Sequence, residues 1–176
     1  NNQELTNSNI FNNYGVISGQ QGKINNSGTL ANQGTLNNNG NSAITNSAAI
    51  TNSGTITNAG RISNSGTLNS SGTITNTLAQ RSGQIENTGT ITNSGVITNP
   101  GYITNNSILQ NSNLITNSGV IQNGRDGKFA SITNSGTINN SGAKTNFASN
   151  GIYNNGDIKN DNAIINTGTI DNNHGS

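Results

Sequence analysis

Apolar residues fall singly along this chain, at an almost constant interval. Leu5, Phe11, Ile17, Ile24, Leu30 and Leu36 begin a series that continues through Ile44, Ile50, Ile56, Ile62, Leu68 and Ile74. It resumes at Ile85 and runs through Ile91, Ile97, Ile103, Leu109, Ile115, Ile121, Ile132 and Ile138 to Ile152, Ile158, Ile164 and Ile170. The step is six residues except for one seven, one eight, two elevens and a fourteen. The fourteen reads as one further hexad centred on Lys144 plus two inserted residues, which brings the series to 26 units.

The unit can be written Thr-Ile-Thr-Asn-Ser-Gly, as at Thr55–Gly60, where Ala59 replaces Ser. A period of six is not helical, and each Gly would cost a helix about 1 kcal/mol. Thr-Ile-Thr instead predicts a short strand with Ile on one side and its neighbours on the other. Asn-Ser-Gly then turns the chain, because Asn and Gly tolerate left-handed backbone. A strand and a turn repeated in this way predict an all-β fold, a single β-solenoid (parallel β-helix) over residues 1–176. Insertions are expected near 75–84, 122–131 and 144–151.

The residue two after the apolar one is Asn in 24 of the 26 units, with Gly19 and Ser70 the exceptions. Asn at one fixed position in stacked coils predicts a ladder of side-chain amides about 4.8 Å apart. Its members would include Asn52, Asn58, Asn64, Asn76, Asn87, Asn93, Asn99, Asn105, Asn111 and Asn117. Two hexads per coil would make a flat solenoid roughly 65 Å long, and three a triangular one of roughly 45 Å. Gly beside Ile resembles the small-plus-aliphatic hexad of triangular left-handed β-helices. Three sides are therefore favoured, with the hand open.

Composition explains why the repeat is needed. Asn, Gly, Thr and Ser supply 105 of 176 residues (40, 23, 22 and 20), hydrophobic residues only 27% and charged residues 7%. So polar a chain would suggest disorder, but that route also requires high net charge, and here the net is +1. Ordinary mixed α/β enzymes, charged disordered tails and electrostatically driven nucleic-acid binders are excluded together. No apolar run approaches the roughly 18 residues of a membrane span, so membrane insertion is not expected. With no Cys there is neither disulfide nor Cys-ligated zinc. No export signal stands at Asn1, so export would depend on a segment outside this sequence.

The runs Ile50–Asn58 and Gly89–Thr98 resemble the repeats of secreted bacterial β-helical adhesins, the autotransporter passengers and filamentous-haemagglutinin-like exoproteins. The resemblance covers nearly the whole chain. It implies an extracellular, surface-exposed rod that serves adhesion or structure, with host-surface glycans among its partners.

Catalytic chemistry is sparse. The acidic residues are Glu4, Glu86, Asp126, Asp157, Asp161 and Asp171. Asp157 and Asp171 are 14 residues apart, which matches neither a 12- nor an 18-residue coil, so no carboxylate pair is expected. Asp157 and Asp161 can offer oxygens to Ca²⁺, but the segment lacks the Gly-rich nonapeptide of calcium rolls, and solvated turn charges are the simpler expectation. His174 stands alone near the C-terminus, and Gly124–Lys128 reads as a polar loop. No enzyme activity and no cofactor are expected.

Two surfaces are candidates for function. Counting the first eleven-residue step as two hexads stacks Thr55/Thr57, Thr73/Thr75 and Thr90/Thr92 on one face, like the Thr ranks of insect ice-binding proteins. The outward position before the apolar residue also turns apolar at Val96, Tyr102, Ile108, Leu114 and Val120. This stretch is either a lateral assembly face or is covered by loops carrying Leu78 and Phe129. No charge cluster guards the ends, so end-to-end addition of further coils is expected. The leading expectation is an extracellular structural or adhesive solenoid of a filament, fibre or surface layer that assembles with itself. Alternatives are an ice- or carbohydrate-binding solenoid and a phage or viral fibre segment.

Overall fold

A computed structural model describes residues 3–77, 83–125, 129–142 and 150–172. It is a three-sided parallel β-solenoid of about eight turns, with 25 strands among the described residues, from Glu4–Asn7 to Ile170–Asn172. Successive strands go to successive sheets, so every third strand stacks. Sheet A holds nine strands and begins with Glu4–Asn7; sheet B begins with Ile10–Asn13 and sheet C with Val16–Gly19, each with eight. At about 4.8 Å per strand, the nine strands of sheet A rise about 38 Å.

The strands are one residue longer than the sequence suggests, and that residue is the Asn. The prevailing strand runs x-Ile-x-Asn, with its second and fourth residues turned inward, as in Thr55–Asn58 and Thr90–Asn93. Asn is thus the last strand residue and lies inside each corner, rather than in the turn. In the middle coils Asn58 and Asn99 are 0% exposed, as deeply buried as Ile74 and Ile115.

Each inward apolar residue lies over its counterpart one coil away, as Ile62 pairs with Ile44 on one side and Ile85 on the other. The core is therefore three stacks of single aliphatic side chains. This one-dimensional arrangement lets so few hydrophobic residues suffice.

Alongside run three amide ladders, one per corner. In sheet A the ladder is unbroken from Asn7 through Asn26, Asn46, Asn64, Asn87, Asn105, Asn123 and Asn154 to Asn172. In sheet C it runs from Asn38 through Asn58, Asn76, Asn99, Asn117 and Asn140 to Asn166. Every rung has the same direction: Nδ2 donates to Oδ1 of the next coil, at 2.6–2.8 Å. The nitrogen faces that way because carbonyls surround it; Asn26 Nδ2 also donates to Gly28 O (3.0 Å) and Ala49 O (2.7 Å).

The two exceptions to Asn have visible consequences. Gly19 leaves Asn38 as the first rung of its ladder in sheet C. Ser70 interrupts the ladder of sheet B between Asn52 and Asn93. Its Oγ accepts from Asn52 but is too short to reach onward, so Asn93 Oδ1 is buried without a partner.

The turn residues also have specific work. Ser27, Ser47 and Ser65 donate both N–H and Oγ–H to the Asn carbonyl one coil below. The recurrent Gly is not there for left-handed backbone, as the sequence suggested. Among the described glycines positive φ occurs only at Gly40, Gly124 and Gly151, all inside the longer steps. Gly is needed for close stacking instead: a Cβ on Gly72 would come within 2.1 Å of Gly54 O. Where Ala48, Ser107, Asn113 or Ala130 takes its place, the next amide reaches its carbonyl at 3.1, 3.2, 3.3 and 2.7 Å, so a side chain is accommodated at some corners. Behind glycine, Thr55, Thr73 and Thr90 do so at 2.9 Å.

The longer steps carry one strand each. Ile62 and Ile85 pair in register across residues 78–82, so the eleven-residue step is a hexad with five residues inserted at a corner. The Lys144 hexad lies outside the described residues. Among the described residues, Thr137–Asn140 in sheet C is followed by Gly151–Asn154 in sheet A.

Two outcomes test this architecture. Ser70→Asn is expected to stabilise the fold by about 1–2 kcal/mol by giving Asn93 Oδ1 its donor, whereas Asn99→Ala costs about 3 kcal/mol by orphaning groups on both sides; chemical denaturation measures both. Gly72→Ala is expected to destabilise by about 1–2 kcal/mol through overpacking. Gly15→Ala, which meets nothing within 4 Å, is expected to be neutral or to gain about 0.5 kcal/mol through the unfolded chain; thermal melts separate the two.

Candidate binding face on sheet A

With Ile and Asn inward, the first and third residues of each strand face solvent, and the register places them in two columns per face. The three faces differ in kind. On sheet C the columns hold Thr, Val, Leu, Ala, Ser, Asn and Ile, and no charge. On sheet B charges occur only at Asp157 and Lys159, with Asp161 just beyond. Of the nine charged residues described, the other six (Glu4, Lys23, Arg61, Glu86, Arg125 and Asp171) stand on sheet A or at its edge.

The insertions follow the same division. Four of the five long steps, Ile17 to Ile24, Leu36 to Ile44, Ile74 to Ile85 and Ile138 to Ile152, lie at the corner from sheet C to sheet A. The fifth, Ile121 to Ile132, lies at the corner from A to B. At the corner from B to C every step is six residues. A corner insertion leaves the stacked strands in register above and below, so the scaffold tolerates it; in repeat proteins such insertions gather at the binding face. Here they border sheet A on both sides.

Sheet A also carries a groove of about 630 Å³ on its outer surface. It spans five stacked strands, from Gln84–Asn87 to Ile170–Asn172, about 19 Å by strand spacing. One column supplies Gln84, Tyr102 and Val120, the other Glu86, Thr104, Gln122, Tyr153 and Asp171, and Arg125 and Asn155 flank them. Beside Tyr153 the first column holds Gly151, whose φ of +138° and close approach to Thr169 O exclude a side chain and keep the floor low. Tyr102 is 42% exposed, while Val120 beside it is buried. The Tyr153 hydroxyl donates a long, weak hydrogen bond to Asn150 O (3.4 Å). Asn155 Nδ2 donates to Gly124 O (3.2 Å) and fixes the far corner. Arg61 pairs with Glu86 at the lower margin, both well exposed.

The other expected sites are rearranged. Val96 and Leu114 are neighbours on sheet C, Tyr102 and Val120 on sheet A, and Ile108 stands on sheet B. They form no single assembly face, because three strands per coil send consecutive hexads to different sides. Phe129 is 94% exposed and covers none of them; Leu78 lies outside the described residues. Thr55/Thr57 and Thr73/Thr75 do stack on sheet C, but Thr90/Thr92 lie on sheet B beside Thr67/Asn69. Counting two hexads in the eleven-residue step caused that misplacement. Val96/Thr98 and Leu114/Thr116 continue the sheet C array, so one column carries Thr57, Thr75, Thr98 and Thr116 in sequence.

Asp157 and Asp171 belong to different sheets, and Asp161 Oδ2 meets Lys159 Nζ at 3.4 Å, so an ammonium already faces the carboxylate expected to offer oxygens to Ca²⁺. Among the described residues no three His, Cys, Asp or Glu gather around a metal position. His174 and Asp126–Lys128 lie outside the described residues.

Sequence reasoning missed the groove because Tyr102 and Tyr153 are 51 residues apart. Counting each long step as one strand, and numbering strands in threes, would have placed both on the face that the insertions border. Comparison with family models, with curated proteins and with solved structures finds no match for the chain.

Proposed function

We propose that this chain is an extracellular structural and adhesive rod, in which the ladders and stacks supply stiffness and sheet A presents the binding surface. The observation that carries this is the partition of the surface: every long step and six of the nine described charges border one face. A purely mechanical rod does not require such a partition, whereas insertions gathered at one face are common where repeat proteins bind. Binding is favoured over catalysis because the groove's two carboxylates, Glu86 and Asp171, stand four strand spacings, about 19 Å, apart, beyond the roughly 5–9.5 Å of glycosidase pairs.

The rod also suits extension. The lumen opens beyond Ile158, Ile164 and Ile170 into a cavity of about 440 Å³, and at Leu5, Ile17 and Ile24 into one of about 360 Å³. The ladders point amide donors toward the first opening and acceptors toward the second. A further coil on either end, from the same polypeptide or another copy, continues sheets and ladders alike. Ice binding is the second reading, favoured by the Thr57, Thr75, Thr98 and Thr116 column on sheet C.

A chain without Cys allows a direct test of the binding face. Thr104→Cys on sheet A and Thr92→Cys on sheet B are each conjugated to polyethylene glycol, and beads carrying the protein are applied to a panel of bacterial, plant and animal cell surfaces. Adhesion is expected for the unmodified chain and the sheet B conjugate and to be lost for the sheet A conjugate. Equal adhesion of both conjugates, or none by the unmodified chain, contradicts the assignment. In electron micrographs, rods longer than about 40 Å are expected to increase with concentration; short particles at every concentration contradict extension.

A further inference from the structure

The geometry points to a ligand class for the groove on sheet A: a neutral oligosaccharide, lying along the stack and resting on Tyr102 and Tyr153. This assignment rests on sheet A being the binding surface and goes beyond it in naming what is bound.

Four properties of the groove converge on a sugar. The first is aromatic. The chain has three Tyr and no Trp, and two of the three Tyr line this groove. They lie in different columns two strands apart, which sets their Cα atoms about 12 Å from each other. A tyrosine offers an apolar ring with a polar tip, the surface on which the C–H face of a pyranose packs. Two such platforms at that separation suit a ligand of several linked sugars rather than one.

The second is hydrogen bonding. Gln84, Gln122 and Asn155 each bring an amide that donates and accepts, Thr104 a hydroxyl, and Asp171 a carboxylate that accepts. A sugar presents hydroxyls that do both, in closely spaced pairs. On the equivalent outward positions of sheets B and C, Thr, Ser and small apolar residues predominate. The amides and tyrosines are therefore not a requirement of the scaffold.

The third is charge. The lining carries Glu86, Arg125 and Asp171, a formal charge of −1, which Arg61, paired with Glu86 at the margin, brings to zero. A polyanion such as nucleic acid or a sulfated glycan, or a basic peptide, would gain nothing from it. The fourth is shape. The volume lies within the usual range for ligand sites, but here it is spread along about 19 Å of stacked strands. An extended chain fills such a groove better than a compact metabolite.

The test uses the intact chain on an array of neutral oligosaccharides (glucan, mannan, xylan and chitin fragments) beside acidic and sulfated ones. Titration of the best neutral binder is followed by tyrosine fluorescence, which reports on the groove because two of the three Tyr line it. Tyr102→Ala and Tyr153→Ala are each expected to weaken binding about tenfold or more. Tyr102→Phe is expected to retain most of the affinity and Thr75→Ala, on sheet C, all of it. Tyr102 is well exposed, so its variants should fold as the parent does, and the Phe-against-Ala comparison separates ring packing from misfolding. Binding should also be insensitive to salt.

Binding only to acidic or sulfated glycans, or neutral binding unmoved by both alanine variants, overturns the assignment. If beads adhere through sheet A but no neutral oligosaccharide competes, or if light scattering shows a dimer that conjugation of Thr104→Cys on sheet A abolishes, the ligand class is overturned while the binding face stands. If beads do not adhere and no neutral glycan binds, both fail.

Discussion

Everything in this molecule depends on the side-chain amide of one Asn per strand. An amide taken from water is costly unless its donors and acceptor are all met, and this fold buries such a group at nearly every corner. Only one arrangement satisfies them all: Nδ2 must find Oδ1 of the same residue one coil on, along with two nearby carbonyls, as Asn26 does with Asn46, Gly28 and Ala49. That requirement enforces parallel, in-register stacking far more sharply than aliphatic contact can, since Ile packs acceptably on Ile in more than one register. Ser70 shows what happens when it is relaxed: a single shortened side chain leaves Asn93 with an unmet acceptor.

From this constraint follows where variation is permitted. Inside, Ile may become Leu or Phe because the stack needs only bulk. On strands, outward residues are free. At corners, extra residues can loop out provided the next strand returns to register, as Ile85 does on Ile62. The molecule spends that freedom unevenly. The corner between sheets B and C admits no extra residue in any coil, while both corners of sheet A do. Two sides thus remain uniform scaffold and one becomes a surface with tyrosines, amides and balanced charge.

Much of this was legible in the sequence, because a six-residue repeat with one apolar position is a nearly complete description of a solenoid strand. The β-solenoid, the inward Ile and the Asn ladder can be read from Thr-Ile-Thr-Asn-Ser-Gly alone. The role of Gly cannot, since a left-handed turn and a close approach of stacked backbones demand the same residue; only the space a Cβ on Gly72 would find beside Gly54 O decides between them. Nor can the faces be read while the number of strands in an eleven-residue step is unknown. One miscounted strand moves Thr90 and Thr92 from sheet B to sheet C and every later residue with them. The groove was hidden for the same reason, as Tyr102 and Tyr153 meet only when strands are counted in threes.

Hydrogen exchange of Asn side-chain amides, followed by nuclear magnetic resonance on the isotope-labelled protein, decides whether the amides are held in ladders. The NH₂ groups of inward Asn58, Asn99 and Asn117 are expected to exchange orders of magnitude more slowly than those of outward Asn25 and Asn69, with protection close to that of the strand backbone amides. If inward and outward Asn exchange at the same fast rate, the amides are not held in ladders, and the account of how this polar chain folds is wrong.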